Sequence, residues 1–255
     1  MANIQSLPLL LKELRLTAMA KSWSSLADKA IKEAWEPAQF LAELCELETN
    51  HRYENRLKRL LKESQLPTGK QLSQYDFNEI KGVTAQQLQK KITQLDWLKK
   101  GHNLILFGAS GLGKSHLAAA VGHALIAQSK RVKFTSSTAL VQQLQKAREE
   151  LGLEDMLKKL DKYELLILDD IGYVKKSDSE SQVLFELIAH RYERNSLLLT
   201  TNQAFSEWDS IFSDNMMTVA AIDRLVHHAD IYQIEGESYR KKQAMKSNQK
   251  TGQAN

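Results

Sequence analysis

Asn103-Leu104-Ile105-Leu106-Phe107-Gly108-Ala109-Ser110-Gly111-Leu112-Gly113-Lys114-Ser115 decides how this chain is read. An apolar run predicts a buried strand over Leu104 to Phe107. It opens into a loop that fills every fixed position of the P-loop pattern, and an Ala-rich helix follows from His116. The glycines let backbone wrap closely around phosphates, and the N–H groups of the loop point at the anion. Residues 108–116 (Gly108, Ala109, Ser110, Gly111, Leu112, Gly113, Lys114, Ser115 and His116) are therefore the expected nucleotide cradle. Lys114 is expected to reach the outer phosphates, and Ser115 to bind Mg²⁺ and begin the helix.

Working outward from Gly101, short apolar runs alternate with helix-length segments. The runs are Asn103–Phe107, Val132–Thr135, Leu165–Asp169, Leu197–Thr201 and Ile231–Ile234. That alternation predicts an α/β fold, a parallel sheet with helices on both faces. Leu165-Leu166-Ile167-Leu168-Asp169-Asp170 ends a buried strand in two carboxylates. Asp169 is placed to hold Mg²⁺ through water, and Asp170 to polarise an attacking water as general base. Leu197-Leu198-Leu199-Thr200-Thr201-Asn202 ends another strand at the same sheet edge. Asn202 reads either as an amide orienting water near the γ-phosphate or as an ordinary turn residue. Arg224, in Ala221-Ile222-Asp223-Arg224-Leu225, either pairs locally with Asp223 or reaches a neighbouring subunit's nucleotide. His227 and His228 match no metal-binding spacing, because adjacent residues do not share a helical face. They read as surface or packing residues.

The rest of the chain sets the context. It has 255 residues, 42% apolar, with 11 glycines and 3 prolines, which argues against collagen-like or low-complexity structure. Cys45 is the only cysteine, which excludes an intramolecular disulfide framework and a cysteine-rich zinc site, and suits a reducing cytosol. No apolar run approaches the ~18 residues of a membrane span, and Leu7–Leu11 is too short for a signal peptide. Residues 1–100 carry 16 basic and 12 acidic side chains, residues 101–238 carry 14 and 19, and residues 239–255 carry 5 and 0. An acidic core with basic flanks permits a polyanion partner, or is ordinary surface charge. Residues 1–66 read as a small helical domain. One helix is capped by Ser6, with Pro8 in its first turn, and a second starts near Pro37, acidic first and basic later. That polarity suits the helix macrodipole, or a partner- or DNA-facing helix. Residues 67–100 read as a linker and a helix capped by Thr84 that Gly101 stops. Residues 101–238 form the nucleotide-binding domain, and 239–255 a basic, disordered tail.

Five features in order give the chain a resemblance. They are the P-loop ending Gly113-Lys114-Ser115-His116-Leu117-Ala118, Leu168-Asp169-Asp170-Ile171-Gly172-Tyr173, Arg191-Tyr192-Glu193-Arg194, Thr200-Thr201-Asn202, and Ile222-Asp223-Arg224-Leu225 leading to Gly236-Glu237-Ser238-Tyr239-Arg240. Together they resemble the IstB proteins, ATP-binding helpers of insertion-sequence transposases. These belong to the AAA+ superfamily, in the clade of the DnaA initiator and the DnaC helicase loader. The resemblance covers about residues 7–245, and the stretch from Trp208 to Arg240 gives it its direction.

The resemblance implies an AAA+ P-loop ATPase that binds ATP and Mg²⁺ between subunits of a homo-oligomer. It implies that Lys114 and Ser115 are the Walker A residues, Asp169 the Walker B aspartate, Asn202 sensor I and Arg224 the arginine that acts across the interface. Asp170 stands where many relatives in the superfamily carry glutamate, and Arg240 falls near the sensor II position, although the chain stops without the helical lid of full modules. Residues 139–160 match a helical insert that lines the nucleic-acid path, with Lys146, Arg148, Lys158 and Lys159 either DNA contacts or a solvated face. The implied partners are double-stranded DNA and a transposase, and the implied location is the cytoplasm, on the nucleoid when DNA-bound, with no membrane. A DnaC-like helicase loader is the alternative, although the core has no aromatic cluster for stacking single strands apart from Tyr163 and Tyr173. A metabolite kinase would need a lid with extra arginines, and no segment reads as one.

Overall fold

The computed structural model describes residues 4–172, 177–212 and 214–239. Tyr173, Arg240 and the basic tail from 240 onward lie outside them. The chain divides into two compact units between Arg59 and Leu60.

The first unit is helical. A 3-10 turn, Ile4–Ser6, leads into α1 (Leu7–Glu13), then α2 (Thr17–Lys32) and most of α3 (Pro37–Ser64). Ser6 does not cap α1 as expected: it sits in the turn itself, with helical φ and ψ, and makes no side-chain cap. The N-terminus of α2 is instead capped from α3. Glu48, 4% exposed, accepts from the amides of Ala18 (2.8 Å) and Met19 (3.2 Å). Arg52, one turn along, donates to Glu48 at 2.8 Å and to the Arg15 carbonyl at 2.9 Å.

The second unit holds the sheet. Its elements are β1 (Ile80–Lys81), α4 (Ala85–Thr93), α5 (Asp96–Lys99), β2 (Asn103–Gly108), α6 (Lys114–Ala127), β3 (Val132–Ser136), α7 (Ser137–Glu149), α8 (Leu153–Leu160), β4 (Leu165–Asp169), α9 (Asp178–Arg191), β5 (Ser196–Thr201), α10 (Asn215–Val226) and β6 (Ala229–Gly236). Strand order is β1-β6-β2-β5-β4-β3. All neighbours are parallel except β1, which runs antiparallel along β6. The five expected strands are all present. Residues 67–100, read from the sequence as linker plus helix, lie inside this unit. Thr84 caps α4 in a capping box with Gln87, as expected, but the helix ends at Thr93 and a separate turn, α5, precedes Gly101.

The central strands are buried on both faces, as parallel sheets are. On one face Ile105, Leu166, Leu168, Leu197 and Leu199 pack under α7, α8, α9 and α10. The alternate residues, Leu104, Leu106, Leu165, Ile167 and Leu198, are equally buried and face the other way, as the period of 2 requires. Buried Arg191 stitches the α8–β4 connection to β5, donating to the carbonyls of Leu160, Tyr163 and Ser196 at 2.9–3.1 Å. Burial pulls its guanidinium down to about 10, against the opposing charge of Asp161. At the far side β3 is the edge strand, with the Lys133 ammonium 3.4 Å from the Glu63 carbonyl.

Candidate nucleotide site

The P-loop leaves the C-terminal end of β2, which is flanked by β6 on one side and β5 on the other. Strand order reverses there, and open α/β sheets bind ligands at such a point. The helices α4, α7, α9 and α10 have side-chain caps from Thr84, Ser136, Ser177 and Asp214. The cap of α6 is Gly113, at φ +78, with no side-chain oxygen to offer. Gly113 therefore offers no side-chain acceptor to the first-turn amides of this buried, Ala-rich helix. Helix N-termini bind phosphate with such amides, so the residues fit a nucleotide's phosphates. The Lys114 side chain, 6% exposed, arches over the loop and donates to the carbonyls of Gly108 (2.8 Å) and Ala109 (2.9 Å). Ala109 and Ser110 are exposed at the loop's crest, Leu112 is buried, and Ser115 and His116 are half-buried in the first turn of α6.

Asp169 and Asp170 are organised by a residue that the sequence reading passed over, Thr200. Its hydroxyl donates to Asp169 Oδ1 at 2.6 Å and accepts from the Asp170 amide at 2.9 Å. Its carbonyl accepts from Ile171 N–H at 3.0 Å. Asp170 takes a left-handed backbone, φ +59, and its carbonyl accepts from the buried Ser137 hydroxyl at 2.7 Å. An aspartate tolerates that conformation better than most residues. Thr200 is level with Leu106 on the neighbouring strand, so Asp169 and Thr200 stand on the sheet edge next to the P-loop strand. The only sequence signal for Thr200 was a buried hydroxyl at the end of an apolar strand. Asn202 is exposed in the bend after β5.

Two further segments close on the loop. Tyr75 donates its hydroxyl to the Leu112 carbonyl at 2.6 Å and lies edge-on to His116. A Cβ at Gly113 would stand 2.6 Å from the Tyr75 ring, so both the positive φ and the close approach require glycine. Burial pushes the Tyr75 phenol up to about 12. His116 Nε2 lies 3.0 Å from the Gln71 carbonyl, and on the other side Tyr239 N–H donates to Gly111 O at 3.0 Å. No sequence spacing pointed to Tyr75, which lies 37 residues from its partner.

The other expected site residues sit elsewhere. Arg224 makes no ion pair with Asp223. It donates to the Ala220 carbonyl at 2.8 Å and covers the Phe185 ring at 5.2 Å. It lines an open depression of about 560 Å³ with Tyr192, Asn215, Met216, Val219, Ala220 and Asp223. Met216 and Val219 are 81% and 67% exposed there. The basic residues of α7 and α8 are largely engaged within the chain: Lys146 with Glu150 (3.8 Å), Arg148 with Glu186 (3.4 Å) and Lys158 with Glu154 (2.6 Å). Lys159 is exposed. In the first unit, Arg15, His51, Arg52, Asn55, Arg56 and Arg59 line a cleft of about 220 Å³ around Glu48. Among the described residues no helix is long and apolar enough to cross a membrane.

A parallel sheet with this strand order, a P-loop on its central strand and a carboxylate pair at the end of β4 define an AAA+ P-loop nucleotide-binding protein. The sequence profile of the IstB-like ATP binding proteins matches residues 9–247. The chain belongs to that family. An insertion sequence ATP-binding protein of Sinorhizobium fredii is 48% identical over 246 residues, covering 96% of this chain and 83% of its own length. The ATP-binding protein of insertion sequence IS5376 from Geobacillus stearothermophilus is 35% identical, covering 89% of this chain and 90% of its own. Among solved structures, the DnaC helicase loader superposes with TM-score 0.54 at 18% identity, over 66% of this chain and 98% of that one. The replication initiator DnaA bound to AMPPCP and single-stranded DNA gives 0.57 at 15% identity, over 68% and 52%. These two likenesses establish the AAA+ fold, and family membership supports ATP as the nucleotide and ATPase activity.

Proposed function

We propose that the protein is an ATP-switched, DNA-binding helper of an insertion-sequence transposase. The observation that carries this reading is the match along nearly the whole chain to insertion-sequence ATP-binding proteins, joined to a P-loop and a hydrogen-bonded Asp169–Thr200 pair. In this reading the amides of the P-loop and of the first turn of α6 hold the phosphates, and Lys114 turns from its carbonyl contacts to the outer ones. Ser115 and Asp169 would hold Mg²⁺. The ion, when bound, would offset the charge that develops on the phosphates during hydrolysis. Asp170 takes a proton from the attacking water, and Asn202 orients that water. Arg224 acts on the nucleotide of an adjacent subunit, so ATP assembles a homo-oligomer and hydrolysis times its release. The exposed Met216 and Val219 beside Arg224 fit a surface that a second copy covers.

The oligomer would grip duplex DNA through phosphates, without sequence preference, and present it to the transposase. The arginine cleft of the first unit and the basic residues of α7 and α8 are the proposed contacts. The acidic partners of Lys146, Arg148 and Lys158 are no obstacle, since exposed pairs in water contribute little and a phosphate can displace them. Such a protein works in the cytoplasm, on the nucleoid. By function the chain then reads as a helical partner- or DNA-contact region over 1–66, a lead-in over 67–100, the ATPase over 101–238 and the basic tail over 239–255.

Fluorescence anisotropy on one duplex and one single-stranded oligonucleotide tests the proposal, with ATP, ADP or no nucleotide and at two salt concentrations. Tight, ATP-dependent, salt-sensitive duplex binding that Lys114→Ala abolishes is the expected result. ATP-stimulated binding that survives Lys114→Ala would sink the mechanism. A single-strand preference would favour a helicase loader of the DnaC kind.

A further inference from the structure

On the flank of the sheet unit, Glu193, His227 and His228 each bring one ligand atom to within 4.8 Å of the other two. Adjacent histidines on one helix could not converge in this way. Here the helix has ended. His227 is the C-cap of α10, and His228 lies in the turn before β6. Their rings are 4.0 Å apart, centre to centre, and tilted by 35°. Glu193 comes from the turn between α9 and β5, and its Oε1 lies 3.3 Å from His228 Nε2. Two ligands about 2.0–2.1 Å from a tetrahedral zinc ion stand roughly 3.3 Å apart, so this pair already has the required separation.

Each ligand is held from behind. His227 N–H donates to Asp223 O at 2.9 Å, and His228 O accepts from Asn103 N–H at 2.7 Å. Tyr192 Oη lies 2.6 Å from His227 Nδ1, and the His102 ring stacks on His228 at 4.9 Å and 8°. The Glu193 turn presses on Gly101, where a Cβ would meet the Glu193 carbonyl carbon at 2.9 Å. Of these, the Tyr192 contact is the kind of ring-nitrogen partner that metal-bound imidazoles carry, which fixes ring orientation before the ion arrives.

The geometry points to a binding site for a zinc-class divalent cation on Glu193, His227 and His228, with solvent completing the coordination. Two imidazoles and one carboxylate suit Zn²⁺, whereas Mg²⁺ and Ca²⁺ take all-oxygen sets. Glu193 and His227 are exposed and His228 half-buried, so the ion enters from solvent. A bound ion would tie the end of α10 to the α9–β5 turn one helical turn from Arg224. Binding itself is independent of the role proposed for Arg224; only an effect of the ion on assembly rests on it.

The test is titration of the tag-free, chelator-treated full chain with Zn²⁺ by calorimetry, and with Co²⁺ by visible absorption, both without nucleotide. Asp169→Asn serves as the background that removes binding at the nucleotide site. One equivalent is expected in that background, with a tetrahedral Co²⁺ spectrum. Glu193→Gln and His228→Asn should each weaken binding at least tenfold. Circular dichroism confirms that the variants fold, and His227→Asn gives a third arm if either does not. Unchanged affinity in folded variants, or no binding beyond what Asp169→Asn removes, would overturn the site, and neither result bears on ATP or DNA binding.

Discussion

Thr200 uses both capacities of its hydroxyl, donating to the carboxylate of Asp169 and accepting from the amide of Asp170. Replacing it by valine keeps the shape and removes both bonds. If Asp169 holds the metal as proposed, Thr200→Val should retain ATP binding and lower hydrolysis by about 10–100-fold, the usual cost of losing a partner that orients a metal-binding carboxylate. Equilibrium nucleotide binding and steady-state phosphate release measured side by side would check this. Tyr75 makes a second prediction. Its phenol is raised to about 12 by burial, so the fold favours the neutral form. That contribution is complete below the ordinary value of 10 and is lost as pH rises through about 12. Absorbance titration should show a late tyrosinate component that Tyr75→Phe removes, with a stability loss of about 1 kcal/mol at neutral pH. The contrast between these residues and Lys114 explains what the sequence could disclose. Phosphate chemistry demands fixed residue types at fixed spacing, so the sequence alone can nominate the P-loop and Asp169 as a candidate site. A threonine in a strand is ordinary, and the partner of Tyr75 is brought to it only by the fold.

At the scale of the element, the capping of α2 by Glu48 makes the first unit acid-sensitive. Burial alone would raise the Glu48 carboxyl; the Arg52 hydrogen bond, the amides of Met19 and Ala18 and the Arg52 charge outweigh it and hold it below 4.5. A depressed carboxyl contributes stability above its unfolded value, and that stability is lost as pH falls through the lower folded value. Helical circular dichroism of the full chain should therefore decline more steeply between about pH 5 and 3 in the wild type than in Glu48→Gln. Parallel curves would count against the cap. Strands β2, β4 and β5 were readable because burial on both faces leaves continuous apolar runs, and the more exposed β3 and β6 by shorter apolar stretches. Strand β1 was not, because Ile80 and Lys81 are too few to carry a period and gain their identity only by pairing with β6. Ser6 failed as a cap because the chain before α1 already winds as a 3-10 turn.

At the scale of the whole molecule, assembly is the property to probe. Val219→Asp places a charge on the exposed apolar surface beside Arg224 and touches nothing in the P-loop. It should abolish the proposed ATP-dependent oligomerisation, read by light scattering after size exclusion, with ATP affinity within about twofold of wild type, as a surface change remote from the site predicts. The sheet itself has one more consequence. On one side the order ends in β1, only two residues long, and on the other in the five-residue β3. An outermost strand presents amides and carbonyls to any second extended chain, and natural proteins guard such strands with charge. Arg131 and Lys133 stand on or beside β3, and Lys133 keeps a cation there although burial, and then Lys162, lower its affinity for the proton. Lys133→Val would leave a Val-Val-Phe run on this margin. Refolding by dilution should then yield less native protein and more turbidity, rising with protein concentration, because the lysine works during folding as a guard against strand-to-strand aggregation.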